Sequence, residues 1–520
     1  MARPLVAVEI DLLDVFTDEV HTLYLCNEGP FSGVDGSNVI TYQPRLLSPV
    51  DSGLSISAEN YGQTARSAPN AGAVNIAMDP ELWPYLNYRW TGREYRIYVG
   101  EVGNTYTDVV TIAGPVEVGK VTGMSYTTSR NPSITVTTAG AVALLDGPLL
   151  TELYTEDDGV PDTLLGKPKP RLWGAGVQIE PVLEDAANQV YRVSTTALGD
   201  VSAVRVGGID WPRDETVSPA PGTYSRQLGA GTFTLSSDPL SGQVRCDAES
   251  SDAGSMTAAE LIRQIVTESG GDADIADFSA DATFLIGYYA KDPVNRLDVL
   301  DEITLGVGAW WGPTNDGKIK ATVYEEPDTV ASQTLTDFVV EDFSMKQTLI
   351  AAWRIRVEYA RNWQPNTQFY DAVPLVDQQA MTVGGKVTLP YENLGLHASD
   401  PTSLDVPLIR SLVLTEADAN EIRDRLAVAW GAERRLYEVV ARGVTVALYD
   451  TVEVDYLMIG PQNFRVHSVL RTLDGDSTRL LLWGEGNVTL APDLGYIITE
   501  TGSPIGLEDE SGGLLLEDAA

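Results

Sequence analysis

The residues that could do chemistry are few and scattered. The chain has three histidines, His21, His397 and His467, far apart in sequence. His467 follows Val466 in an alternating run, so it faces away from Phe464 and Val466 and reads as structural rather than as a ligand. Cys26 and Cys246 are the two cysteines, and neither stands beside an obvious general base. They read as ordinary reduced residues rather than as a bridge. There is no H-E-x-x-H, no zinc-spaced Cys/His set and no G-x-S-x-G. Asp272, Asp274, Asp277 and Asp281 suggest calcium by their density, but the run lacks the glycine and terminal glutamate of an EF-hand loop. No pair of carboxylates stands out for glycoside hydrolysis. We therefore expect no enzyme, and assign no catalytic, cofactor-binding or metal residue.

Ten tryptophans could build a sugar platform. Trp310 and Trp311 are adjacent, so in a strand they point to opposite faces and at least one belongs to a core. Trp83 and Trp90 sit among tyrosines and prolines that brace a loop. Core or interface is the better reading for all four.

The elements that hold these residues are mostly strands. The stretch 414–483 is the most legible. Thr415 stands three residues before Asp418, a capping pattern, and Ala419, Ile422, Leu426 and Ala429 recur at helical spacing. The helix should end near 431–435. After it the period becomes 2, through Tyr437, Val439, Val444, Val446, Val452 and Val454, then 464–469, an Asp474-Gly475-Asp476 turn and 479–483. We expect one helix laid against a short antiparallel sheet or small barrel.

Earlier in the chain, 1–150 reads as all-β. Val6, Val8 and Ile10 alternate, Leu54 and Ile56 repeat the pattern, and Gly29-Pro30, Asp35-Gly36 and Asp51-Ser52-Gly53 punctuate the runs. Ile112, Val116, Val118, Val121, Ile134 and Val136 continue it. Glu156-Asp157-Asp158-Gly159 is an acidic turn, and the prolines of 166–170 force an extended connection. Strands follow at 191–193 and 204–206, with turns at 218–225 and 235–241. Two helices are expected at 257–269, with Thr257 and Glu260 as a capping box and Gly270-Gly271 as the stop, and at 295–305 with Val299, Leu300 and Ile303 buried. An Asn315-Asp316-Gly317 turn precedes a strand at 318–323. A strand at 353–359 should lead into the final barrel, and 360–412 is loop-rich.

At 520 residues the chain should hold three or four domains or so, by a prior of roughly 100–200 residues each. We divide it as 1–150, a β-rich domain; 151–255, a second β-rich unit; 256–345, an α+β domain; 346–490, a β-barrel with one helix; and 491–520, an acidic tail. The fold class is mainly β with α+β parts, several barrel or sandwich domains and few helices. No apolar run approaches the roughly 20 residues of a membrane span. Glu9 arrives too early for a signal-peptide core, so the chain is expected to be made and kept in the cytoplasm unless an assembly carries it out.

The formal charge is −39, from 74 acidic and 35 basic residues. That opposes nucleic-acid binding, which needs a basic face. Solubility is one explanation. A wall past which DNA slides without sticking is another, and composition leaves both open.

Several strings carry a resemblance. "RDRLAVAWGAERRLYEVVARG", "DTVEV" and "FRVHSVLRTLDGD" resemble the C-terminal half of tail hub (baseplate hub) proteins of long-tailed bacteriophages and phage-like tails. "TYQPRLLSPVDSGLSIS", "GAVNIAMDPELWPYLNYRWTGREYRIYVG" and "GPVEVGKVTG" resemble the N-terminal region of such tail proteins, and the likeness persists through 144–194, including Gly166-Lys167-Pro168-Lys169-Pro170 and Gly174. The α-α-β-β order of 257–323 is similar too. Leu507-Glu508-Asp509 and Leu516-Glu517-Asp518 resemble tail-protein C-termini; a solvated tail and a docking segment are both open.

The resemblance implies a structural virion protein at the phage tail tip or baseplate. It implies a homotrimer with tube-like hub domains that meets the distal tail protein, tail tube protein, tape measure protein and a central fibre or spike. An acidic channel would open for DNA ejection during host attachment. The alternatives are a distal tail ring or receptor-binding tail protein, a tail-associated cell-wall hydrolase, and an unrelated carbohydrate-binding module.

Overall fold

The computed structural model describes residues 3–27, 31–35, 38–48, 52–56, 67–69, 73–102, 117–128, 131–216, 219–240, 242–314, 316–444, 446–456, 459–472, 477–485, 496–498 and 504–506. Gly29-Pro30, Gly36, Asp51, Ile112, Val116, Ser218, Ser241, Asn315, the Asp474-Gly475-Asp476 turn and the repeat at 507–509 and 516–518 lie outside the described residues. The protein is mainly β, with several separate sheets and, among the described residues, six α-helices. Met1–Glu325, Ile350–Ala432 and Leu470–Gly475 form one compact unit, and Glu326–Leu349, Glu433–Val469 and Asp476–Ala520 form a second.

The first unit opens with a nine-stranded sheet. An inner strand, Arg3–Leu13, pairs antiparallel with Val20–Cys26 (Ile10 opposite Leu23) and with Glu94–Val102 (Val8 opposite Ile97). The alternation seen in the sequence puts Val6, Val8, Ile10 and Leu12 into one core with Ile76, Tyr95, Ile97, Ile134 and Val136. Leu5 and Ala7, at the intervening positions, pack with Cys26 and Tyr42 on the other face. Both faces of this strand are therefore covered. Glu9 is tolerated there because the Tyr42 hydroxyl donates to it at 2.5 Å and Arg96 pairs with it at 3.3 Å.

A five-stranded and a four-stranded sheet follow, sharing a core around Leu172, Tyr191, Val204, Phe233 and Cys246. The acidic turn at 156–158 is a 3-10 turn with a reciprocal Thr155/Asp158 capping box, closed by Gly159 at φ +67°. The helical core of the unit is built by α1 (Ala258–Glu268), α2 (Ala276–Asp281) and α3 (Arg296–Gly306). Thr257 caps α1 by accepting from the Glu260 N–H at 3.2 Å. The Glu260 carboxylate pairs with Arg263. Asn295 caps α3. Gly270, at φ +79°, stops α1 as a left-handed residue should.

Trp310 and Trp311 both lie in the strand Ala309–Pro313 and both are buried, so the pair is core on both faces. Trp311 Nε1 donates to Asp301 of α3 at 2.7 Å, which locks helix to strand. The expected strand at 353–359 is broken at Arg356 into Ala352–Ile355 and Val357–Tyr359, which join different three-stranded sheets of the first unit. Two short helices, α4 (Leu375–Thr382) and α5 (Leu394–Ser399), punctuate the loop-rich region.

Helix α6 (Glu416–Trp430) has the expected bounds, the Thr415 cap and the predicted buried stripe. Its packing differs from expectation. Ala419, Ile422, Leu426 and Ala429 enter the core of the first unit, against Ala352–Ile355 and Val357–Tyr359, with Leu426 closing over Gly308. The sheet that follows has no need of the helix, because its interior is filled by its own strands.

That sheet is the second unit. Its strands run in the order Gln333–Thr336, Thr451–Tyr456, Ile459–Thr472, Ser477–Glu485, Arg434–Arg442 and Val340–Leu349. The first and last of these are joined by residues 337–339 alone. A link of three residues reaches about 10–14 Å, so the sheet must roll until its two edges approach. Leu335, Val340, Tyr437, Val439, Val452, Val454, Phe464, Val466, Leu480 and Leu482 fill the interior.

Replacing Trp311 by alanine removes a fully buried ring and the bond to Asp301. It should destabilise the first unit by about 3–5 kcal/mol, read as an earlier thermal transition; a change within about 0.5 kcal/mol would show that the helix–strand lock is dispensable.

Candidate functional site

The structure keeps the chemistry-bearing residues apart. His21 lies in the strand Val20–Cys26 with its ring 5.3 Å from that of Tyr88. His397 lies in α5, stacked on Trp353 at 4.3 Å, with Nδ1 3.4 Å from the Ser403 hydroxyl. His467 is buried in the second unit and stacks on Trp483 at 5.7 Å. Cys26 and Cys246 are not joined by a disulfide, each is buried in a different core, and burial pushes the Cys246 thiol up, away from thiolate. Asp274 ends a two-residue strand while Asp277 and Asp281 ride on α2. Among the described residues no three His, Cys, Asp or Glu side chains converge as ligands. Trp90 is core, donating to the Tyr85 carbonyl at 2.9 Å, and Trp83 is exposed.

Two arginines that sequence reasoning passed over organise the second unit. Arg465 makes a bidentate pair with Asp328, 2.8 and 3.0 Å, and also donates to the Glu326 carbonyl at 2.9 Å. Its guanidinium lies 4.9 Å from the centre of the Tyr449 ring. Thr451 Oγ1 both donates to the Asp328 carboxylate and accepts its backbone N–H, each at 2.9 Å. Arg434 pairs with Glu326 and covers Trp483 at 5.0 Å. Burial pushes the Glu326 carboxyl up, against the pull of Arg434. The segment from Glu326 to Asp328 is thus strapped to the barrel by planar, forked contacts that lysine could not reproduce. The only sequence signal was position: in Phe464-Arg465-Val466-His467, Arg465 and His467 share a face, and that face is buried as well.

A second feature was invisible in the sequence. Residues 361–384 leave the first unit's core and return, pinned along one side. Trp363 and Gln364 donate to the Val177 and Gln178 carbonyls at 3.0 Å, and Tyr370 donates to the Gly207 carbonyl at 2.9 Å. The Tyr370 hydroxyl reaches the Pro239 carbonyl at 2.8 Å, and Gln243 and Thr367 exchange two bonds. Phe369 and Tyr370 sit directly on glycines. A Cβ at Gly207 or Gly242 would come within 2.6 or 2.3 Å of Tyr370, and one at Gly208 within 2.7 Å of Phe369. Gly207 and Gly208 also have φ of +56° and +83°, so the seat needs glycine twice over.

The residues that follow are unlike this pinned stretch. Helices α4 and α5 bury no residue. Leu375, Val376, Val383, Val387, Leu389 and Leu394 are 47–76% exposed. Residues 374–396 carry only Asp377, Lys386 and Glu392 as charged side chains, in a chain whose charge is −39.

No protein-family model and no curated protein matches the chain. Among solved structures it is similar to the 43 kDa tail protein of a Shewanella oneidensis prophage, at TM-score 0.36 and 10% identity, over 92% of this chain and 98% of that one. It is similar to a tail protein from Neisseria meningitidis, at TM-score 0.38 and 10% identity, over 93% and 97%. A prophage tail protein from Listeria monocytogenes gives TM-score 0.35 and 8% identity, over 94% and 95%. Scores below 0.5 leave these as likenesses only.

The barrel contains an acid-sensitive element. Burial and then the neighbouring Arg465 push the His467 imidazole down to about 3, from an ordinary 6.5. The native state therefore refuses a proton that the unfolded chain takes up near pH 6.5. The contribution is whole above that pH and is lost as pH falls from about 6.5 toward 3, at up to about 1.4 kcal/mol per unit. His467→Phe keeps the stack on Trp483 and removes the titration, so urea unfolding of the second unit should depend less steeply on pH between about 6 and 4. An unchanged slope would show that His467 titrates normally.

Proposed function

We propose that this chain is a structural protein of a phage or phage-like tail, and within it the hub at the distal end of the tube. The supporting observation is where the hub-like strings fall in the fold. "GREYRIYVG" supplies the strand Glu94–Val102 and "GPVEVGKVTG" its antiparallel neighbour Glu117–Thr127, in the middle of the nine-stranded sheet. "RRLYEVVARG", "DTVEV" and "FRVHSV" supply three of the strands that enclose the second unit's core. These parts of the resemblance lie on framework strands, where a family's architecture resides.

In this role the protein works mechanically. A homotrimer, implied by the same resemblance, would present its β modules as a collar, joining the tail tube and distal tail proteins to a central fibre or spike and holding the tape measure protein. The excess of 39 negative charges would line the channel and keep DNA from adhering as it passes. The tail tip of the virion is then its working location, reached from the host cytoplasm during assembly.

A reconstruction of tails from particles that carry this chain tests the proposal. The expected outcome is density for three copies at the tube's distal end, around an acidic lumen. Six copies would indicate a distal ring instead, and a lumen lined by Lys and Arg, or absence of the chain from tails, would overturn the hub reading.

A further inference from the structure

Arginines in this fold repeatedly meet a carboxylate over an aromatic ring. Arg171 lies 4.5 Å from the centre of the Trp173 ring and forks onto Glu268 at 2.8 and 3.1 Å. Arg361 lies 4.4 Å from Trp363 and pairs with Glu302. Arg434 joins Trp483 to Glu326, and Arg465 joins Tyr449 to Asp328. The ring attracts the flat face of the cation, and the carboxylate accepts the N–H groups at its edge.

At the end of the strand Arg3–Leu13 the rings and the carboxylates are present without the arginine. Tyr85 and Tyr88 are half-buried against the core of the nine-stranded sheet, with ring centres 5.1 Å apart. The His21 ring lies 5.3 Å from Tyr88 and 6.4 Å from Tyr85, and the three rings are inclined to one another by 59–73°. Two backbone bonds between Leu13 and Arg89, 3.1 and 2.8 Å, set Tyr88 beside Asp14. Partial burial, and next the Asp14 carboxylate, push the Tyr88 hydroxyl up. The Asp14 N–H donates to the Glu19 carbonyl at 2.9 Å and closes the turn, and the Glu19 carboxylate comes within 4.0 Å of His21 Nε2. Two carboxylates thus flank three rings. Among the described residues no lysine or arginine pairs with either. Arg89 is exposed and makes no ion pair there, and Arg96 is engaged with Glu9, Asp11 and Glu94 on the sheet's other face.

We propose that Asp14, Glu19, His21, Tyr85 and Tyr88 form a docking site for an arginine side chain that projects from a partner protein. A guanidinium suits it better than an ammonium, because a planar fork can lie on a ring and bond a carboxylate at its edge together. The charge of −39 draws a basic partner from any direction, and the rings decide where its arginine stops. The turn and the Leu13–Arg89 bridge hold the site in place before anything binds. It lies within the first unit and does not depend on the hub reading.

With three histidines, isotope labelling of histidine in the full-length chain gives one resonance at the site, and His397 and His467 serve as internal controls. The probe is N-acetyl-arginine amide, added at fixed pH and ionic strength. The His21 resonance should move and saturate with a Kd on the order of millimolar, the range that one guanidinium at an exposed site allows, while the other two stay in place. The uncharged citrulline analogue should leave His21 unmoved, and the lysine analogue should bind at least about threefold more weakly. Glu19→Gln and Tyr88→Leu should each weaken arginine binding by about threefold or more. Glu19 is exposed, so an unchanged melting temperature in Glu19→Gln separates lost contact from lost fold. A His21 resonance unmoved at about 50 mM probe, an equal response to the citrulline or lysine analogue, or variants that bind as the wild type does would overturn the proposal.

Discussion

Cations are scarce in this chain, and where the fold places them explains much of the rest. Carboxylates outnumber Lys and Arg by 39, so every compact arrangement works against its own charge. The structure answers by burying arginines where segments distant in sequence meet. Arg245 reaches Glu180 and the Gln364 carbonyl, Arg205 forks onto Asp247, Arg361 meets Glu302, and Arg465 and Arg434 hold Asp328 and Glu326. An exposed ion pair contributes little. These differ because the guanidinium is mostly shielded from water; Arg245 and Arg465 also reach backbone carbonyls, and Arg361, Arg434 and Arg465 lie against aromatic rings. Each acts as a fastener of defined geometry, and removing one would strand the partners it satisfies.

This arrangement shows why some of the fold was legible in sequence and some was not. Helices α1 and α6 could be read because cap, apolar period and stop agree locally, and α3 by its apolar period; Thr257 and Thr415 cap as expected and the predicted stripes are buried. Strand alternation was equally plain at Val6, Val8 and Ile10. The neighbour of α6 was not, because adjacency in sequence suggested the following strands, while the apolar surface that fits the helix comes from strands some sixty residues earlier. The Arg465–Asp328 pair spans 137 positions. An arginine on a half-exposed strand looks the same in sequence whether its partner is water or a distant carboxylate. The region 360–412 defeated periodicity altogether. It holds its shape through glycine seats and backbone bonds to remote carbonyls, which leave no repeating pattern behind.

The same distinction applies to function. Histidines, cysteines and clustered aspartates drew attention by type, yet the structure places them in separate cores, stacks and turns. The aliphatic residues of 375–394 stand out by their exposure, which cannot be judged before the fold is known. Leu375 and Val376 read like any core pair in sequence. Only the fold shows that both are exposed, while Val373 just before them is buried.

The glycine seat shows how such a stretch is held without any repeating pattern. The backbone at Trp363, Gln364 and Tyr370 is fixed by bonds to the Val177, Gln178 and Gly207 carbonyls. Gly207, Gly208 and Gly242 let Phe369 and Tyr370 approach closely, and a Cβ at any of the three would push an aromatic ring away. The glycines that look incidental in the sequence therefore decide where this segment can lie, because no larger residue leaves room for the rings.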